Sequence, residues 1–148
     1  MAYPNTSIYR IPHYHGDTVR SLFLVTVGFS FLVIPLWGHI LPFGNTFEVL
    51  GGIVLIALAG LTSPHSRFIM LLNCLVSGLG AFLLELSAIS FRSSESLQLL
   101  LVREIEALIL ITALYFSVKT ARAMMQGKVG QLPRPWEFDT VDKSDTSE

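Results

Sequence analysis

The run LQLLLVREIEALILITALYFSV, residues 97–118, decides how this chain is read. A helix rising about 1.5 Å per residue over that length crosses the roughly 30 Å hydrocarbon core of a bilayer. Yet Arg103, Glu104 and Glu106 stand in its first half. A charge at the membrane centre costs about 2.5–3.5 kcal/mol on insertion scales, so the rest of the chain must explain how three are tolerated.

Composition identifies the solvent. Of 148 residues, 51% are hydrophobic and 14% charged, and the mean hydropathy is +0.58. Globular domains carry about 25% charged residues. A surface this poor in charge needs lipid where a soluble protein has water. The lipid bilayer is therefore the first expected partner. The net charge of −1 and the ten scattered basic residues give no phosphate-binding stripe, so no nucleic acid is expected. Cys74 is the one cysteine, lies in an apolar segment, and reads as a small buried hydrophobe. No cleavable leader is expected, because Tyr3, Pro4, Asn5, His13, His15 and Asp17 occupy the place of an apolar leader core.

Three more apolar stretches precede the decisive one. Residues 21–41 form the first, about 31 Å as helix, with Asp17 or Thr18 as its start signal and Pro35 as an expected kink. Arg20 is expected to snorkel to the headgroups. Residues 46–62 form the second, whose apolar part, residues 47–61, is only about 22 Å long. Residues 67–89 form the third. Gly51, Gly52, Ala57, Ala59 and Gly60 in one, and Ser77, Gly78, Gly80 and Ala81 in the next, let backbones approach closely. Asn73 is placed to hydrogen-bond to a neighbouring helix. The fourth span, residues 97–118, follows a serine cap at Ser93, Ser94 or Ser96 and continues as helix to a stop at Gly127.

The fold expected is an all-α membrane protein, a four-transmembrane-helix bundle. Residues 1–16 form an N-terminal segment, 17–126 the bundle, and 127–148 a tail whose polar, acidic end reads as disordered. With four spans, Arg10, Arg20, Arg67, Lys119, Arg122, Lys128, Arg134 and Lys143 fall on one side and only Arg92 on the other. The positive-inside rule then puts both termini in the cytoplasm of a cell bearing the protein in its plasma or inner membrane.

This topology gathers the chemically interesting residues at the outer ends of the helices. His39 closes the first span, Glu48 opens the second, and Glu85 lies near the end of the third. Arg103 and Glu106 lie about 9–14 Å into the fourth and share a face, whereas Glu104 points about 100° away. Arg103 can pair with Glu85 or Glu106, but one arginine cannot neutralise every carboxylate. The surplus must reach water, hold a cation or take up a proton. Two readings follow: a polar pocket for a proton or cation, or an interfacial salt-bridge cap that fixes helix register.

No nucleotide, hydrolase or metalloprotease motif occurs, and His13 and His15 make at most half a metal site. No catalytic residue, metal or cofactor is expected. The function expected is a non-enzymatic assembly or accessory protein of the membrane, forming a homo-oligomer or joining a membrane-protein partner. The alternative is a proton- or cation-coupled transporter or channel subunit built on the Glu/Arg cluster.

Overall fold

The computed structural model describes residues 14–37, 45–91, 96–127 and 129. Among these the chain is all-helical, with four α-helices and no strand: α1 (Gly16–Trp37), α2 (Asn45–Leu61), α3 (Arg67–Phe91) and α4 (Leu97–Met125). Two helices are long and apolar enough to cross a membrane, over Gly16–Val33 and Arg67–Ser90. α2 is apolar over Thr46–Leu61 but shorter, and α4 is long but carries Arg103, Glu104, Glu106, Lys119 and Arg122. Residues 1–13, His39 and residues 130–148 lie outside the described residues.

The helix ends follow their local chemistry. Ser96 caps α4, its hydroxyl accepting from the Leu99 backbone N–H. This satisfies one of the donors that a first helical turn leaves unpaired. At the other end Gly127 takes φ +67°, the left-handed conformation that glycine adopts without steric cost, and its N–H donates to the Met124 carbonyl at 3.2 Å. α1 begins at Gly16 with Asp17 in its first turn and continues as helix through Pro35 to Trp37.

Neighbouring helices run antiparallel. The backbone N–H of His15 donates to Thr120 Oγ1 at 3.2 Å, while Ser30 meets Glu106, so the start of α1 lies by the end of α4. Gly78 and Gly80 face Leu114 and Leu110, which sets α3 against α4 in the same sense. α3 and α4 make the most extensive contact, α1 packs on α4 and on α2, and α2 touches α3 only slightly. The helices therefore make an arc in the order α2, α1, α4, α3, with its open side between α2 and α3.

The bundle hides polar side chains and exposes apolar ones. Its main core joins all four helices through residues such as Phe23, Leu58, Leu84 and Leu110, and a second cluster forms around Met70, Ala121 and Met124. Asn73, Ser77, Ser117 and Thr120 are buried as well. Asn73 Nδ2 donates to Thr62 Oγ1 at 2.9 Å; the partner expected from the sequence is a neighbouring helix, and Thr62 lies one residue beyond the end of α2. Outside, Leu32, Phe68, Leu75, Phe82 and Leu108 are exposed.

Arg20, expected at the headgroups, also has two backbone partners. Its Nε donates to the Ala59 carbonyl at 2.8 Å and its Nη2 to the Thr62 carbonyl at 3.0 Å. These carbonyls belong to the last turn of α2 and the residue just beyond, where intrahelical partners are missing and the helix dipole favours a cation. The guanidinium thus fastens α1 to the end of α2.

Candidate functional site

The inward stripe of α4 explains how its charges are housed. Its buried positions, among them Leu99, Val102, Arg103, Glu106, Ala107 and Leu110, recur at spacings of three and four and so form one helix face. Arg103 is 1% exposed and Glu106 3% exposed. Both therefore face protein and not lipid tails. Glu104, one residue after Arg103, is half-buried on the flank of that stripe.

Glu106 has a defined partner. Ser30, on α1, brings its Oγ to 2.7 Å from Glu106 Oε1. The same hydroxyl lies 3.0 Å from the Thr26 carbonyl one turn earlier, and Thr26 turns its own hydroxyl to the Leu22 carbonyl at 3.0 Å. Thr26 and Ser30 are four apart, so α1 presents a short polar strip to α4 at the level where Glu106 enters the bundle.

This strip forms part of the wall of a cavity of about 430 Å³. All four helices contribute: Thr26, Val27 and Ser30 from α1, Glu48 and Gly51 among others from α2, Leu79 and Leu83 among others from α3, and Glu106 and Leu110 from α4. Apart from its glycines the lining is apolar except for Thr26, Ser30, Glu48 and Glu106. Phe47, Leu50 and Val54 of α2 and Leu79 of α3 are at once lining residues and exposed, so the mouth lies at the weakly packed α2–α3 side. The inner wall is acidic and the rim apolar.

The expected cluster is thus divided. Glu48 and Glu106 come together on the cavity. Glu85 is half-buried on α3, and the α3–α4 register puts it near the level of Glu106, but Glu85, Arg103 and Glu104 are not among the lining residues. His39 lies outside the described residues. Ser30 and Thr26 are the members that sequence reading missed. Their one signal was a pair of hydroxyl residues four apart in an apolar helix, a pattern that also arises when each simply bonds to its own backbone.

The arrangement supplies carboxylate and hydroxyl oxygens in an apolar enclosure. It can hold a proton, a cation or a donor-rich head group. Among the described residues no group of three or more His, Cys, Asp or Glu side chains is placed to hold a metal ion. Comparison with protein-family models, with curated proteins and with solved structures gave no match.

Proposed function

We propose that this chain is a four-span membrane protein of the plasma or inner membrane, with cytoplasmic termini, that acts as a proton- or cation-coupled transporter or channel subunit. The observation that carries this reading is the position of Glu106. It is a buried carboxylate, bonded to Ser30, on the wall of a cavity that it shares with Glu48. An interfacial cap needs its acids at the headgroups. Glu106 lies about 14 Å along α4 from Leu97, taking the helical rise per residue, which favours a place inside the bundle over one at the helix end.

Polar side chains buried beneath an apolar outer surface support the four-span reading. Asn73, Ser77, Arg103, Glu106, Ser117 and Thr120 are buried while large apolar side chains cover the outside. Backbone and side-chain polar groups are affordable in lipid only when they are satisfied internally. α2, with 17 residues, spans by local thinning of the bilayer and by its polar flanks.

Reconstitution into liposomes with an internal pH dye tests the function. Wild-type protein is expected to admit protons or a monovalent cation along an imposed gradient, and Glu106→Gln to lose this while eluting as the same folded species. Equal uptake by wild type and Glu106→Gln removes Glu106 from the function. A second reading, assembly with a membrane partner, is favoured by the small residues Ala57 and Gly60 on the outer surface of α2, where a Cβ on Gly60 would meet nothing within 4 Å. Crosslinking across that surface tests it.

A further inference from the structure

The cavity has a chemistry more specific than that of a site for a bare ion. A small cation uses the two carboxylates and leaves the long apolar walls without a partner. An anionic amphiphile meets two carboxylates, Glu48 and Glu106, and no basic residue lines the cavity among the described residues. A neutral lipid leaves the acidic wall without a complementary charge. The occupant that uses every part is an apolar chain ending in a protonated amine.

We propose that the cavity binds a single-chain hydrophobic amine, which enters from the bilayer between α2 and α3. This rests on the reading of Glu106 as a cation-holding group and adds the class of ligand and its route. The ammonium head carries three donors and no acceptor. Glu106 offers its Oε2, because Oε1 receives the Ser30 hydroxyl at 2.7 Å, and Glu48 lines the same cavity. A charge-assisted hydrogen bond is strongest in such an enclosure. The volume of about 430 Å³ is in the lower part of the range of about 300–1,000 Å³ usual for ligand pockets, enough for one chain and not for two. The rim explains the route. Phe47, Leu50, Val54 and Leu79 are exposed apolar side chains, a surface that lipid wets and water does not. The light α2–α3 contact leaves the entrance unobstructed by a packed seam.

The test compares dodecylamine, dodecanol and dodecanoate binding to the full chain in lipid nanodiscs, with empty nanodiscs as the partition control. Amine is expected to bind most tightly, alcohol more weakly and carboxylate least. Glu106→Gln should weaken amine binding by about thirtyfold or more, to the level of the alcohol, with alcohol binding unchanged. That unchanged alcohol binding reports an intact cavity. Gly51→Trp fills the cavity from α2, where a Cβ at Gly51 meets nothing within 4 Å, and should abolish binding of both. Amine binding equal to alcohol binding in the wild type, or amine binding insensitive to both substitutions, overturns the proposal. If Glu106→Gln fails to fold, Glu48→Gln carries the same comparison. Uptake of protons or small cations without amine binding defeats this inference and leaves the functional reading standing. Amine binding without uptake does the reverse.

Discussion

Ser30 Oγ lies 2.7 Å from Glu106 Oε1 across the α1–α4 interface, although the two residues are 76 positions apart. The hydroxyl has one proton and two acceptors within reach, the other being the Thr26 carbonyl at 3.0 Å on its own helix. Donation to Glu106 ties the helices together, whereas donation to Thr26 ties α1 only to itself. The inter-helix contact is shorter and involves a carboxyl group, and such bonds are the stronger kind.

Removing either partner should therefore show coupling. Ser30→Ala takes a hydrogen bond from a buried carboxyl and is expected to cost about 1–3 kcal/mol. Glu106→Gln keeps the shape and an acceptor, and should cost less. A double-mutant cycle with Ser30→Ala and Glu106→Leu, read by unfolding in mixed micelles, should give a coupling near the average of about 0.6 kcal/mol for inter-helix hydrogen bonds in membranes, and at most about 1.7 kcal/mol. Simple additivity of the two losses would mean that the bond does not form.

Arg20 yields a prediction of a different kind, because its partners are carbonyls. The carboxylate of Asp17 stands 4.0 Å away, and its side chain is 86% exposed. Such a pair contributes about 0–1 kcal/mol. Asp17→Ala should accordingly change stability by less than about 1 kcal/mol. Arg20→Ala leaves the carbonyls of Ala59 and Thr62 without their donors and should cost about 1–3 kcal/mol. Arg20→Lys should fall between, since an ammonium lacks the planar fork that reaches both. Thermal unfolding at low and high salt checks the assignment. A loss that vanishes in high salt would point to Asp17 as the partner.

The parts of the fold legible in the sequence are those encoded by spacing along one helix. Arg103 and Glu106 are three apart and do share a face, and Ser96 and Gly127 bound α4 by local capping chemistry alone. The pairing of helices is not encoded that way. Small residues in α2 and α3 suggest close approach, yet a Cβ at Gly51 or Gly60 meets nothing within 4 Å, while Gly80 faces Leu110 of α4. Which helix a small face meets depends on the order of helices around the bundle, a property of the whole chain. The same holds for Glu106. Its partner on α1 became visible only with that order, as did the cavity whose wall it joins.

The α3–α4 seam separates two glycines that look equivalent in sequence. A Cβ on Gly78 would sit 3.8 Å from the Leu114 methyls, an ordinary contact. Gly78→Ala should be neutral or stabilise by up to about 1 kcal/mol through helix propensity. A Cβ on Gly80 would sit 2.9 Å from Leu110 Cδ1, so that side chain must turn away. Gly80→Ala is tolerated only if Leu110 moves, and Gly80→Val should destabilise by about 1–3 kcal/mol through overpacking. Unfolding midpoints for the three variants check the order. Leu110→Ala combined with Gly80→Val should recover part of the loss if the clash is its cause.

With the N-terminus in the cytoplasm, sided labelling decides how many helices cross the bilayer. Two helices qualify on length and apolar character, α1 and α3. If they alone cross, the loop between α2 and α3 and the start of α4 lie on opposite sides, with that loop across the membrane from the N-terminus. If all four cross, the loop lies on the same side as the N-terminus and the start of α4 on the other. The two topologies thus predict inverted patterns. His65 in that loop and Leu97 at the start of α4 are both exposed. In a Cys74→Ala background, which removes the half-buried native thiol, His65→Cys and Leu97→Cys supply single reporters. In intact cells a membrane-impermeant maleimide should label Leu97→Cys and spare His65→Cys, and permeabilised cells should label both. Labelling of His65→Cys alone in intact cells would overturn a four-span bundle with cytoplasmic termini. The buried Arg103 and Glu106 argue for the first outcome, because their burial depends on α4 packing lengthwise against both α1 and α3. If α1 and α3 span, a helix so packed against both is expected to share their passage through the lipid.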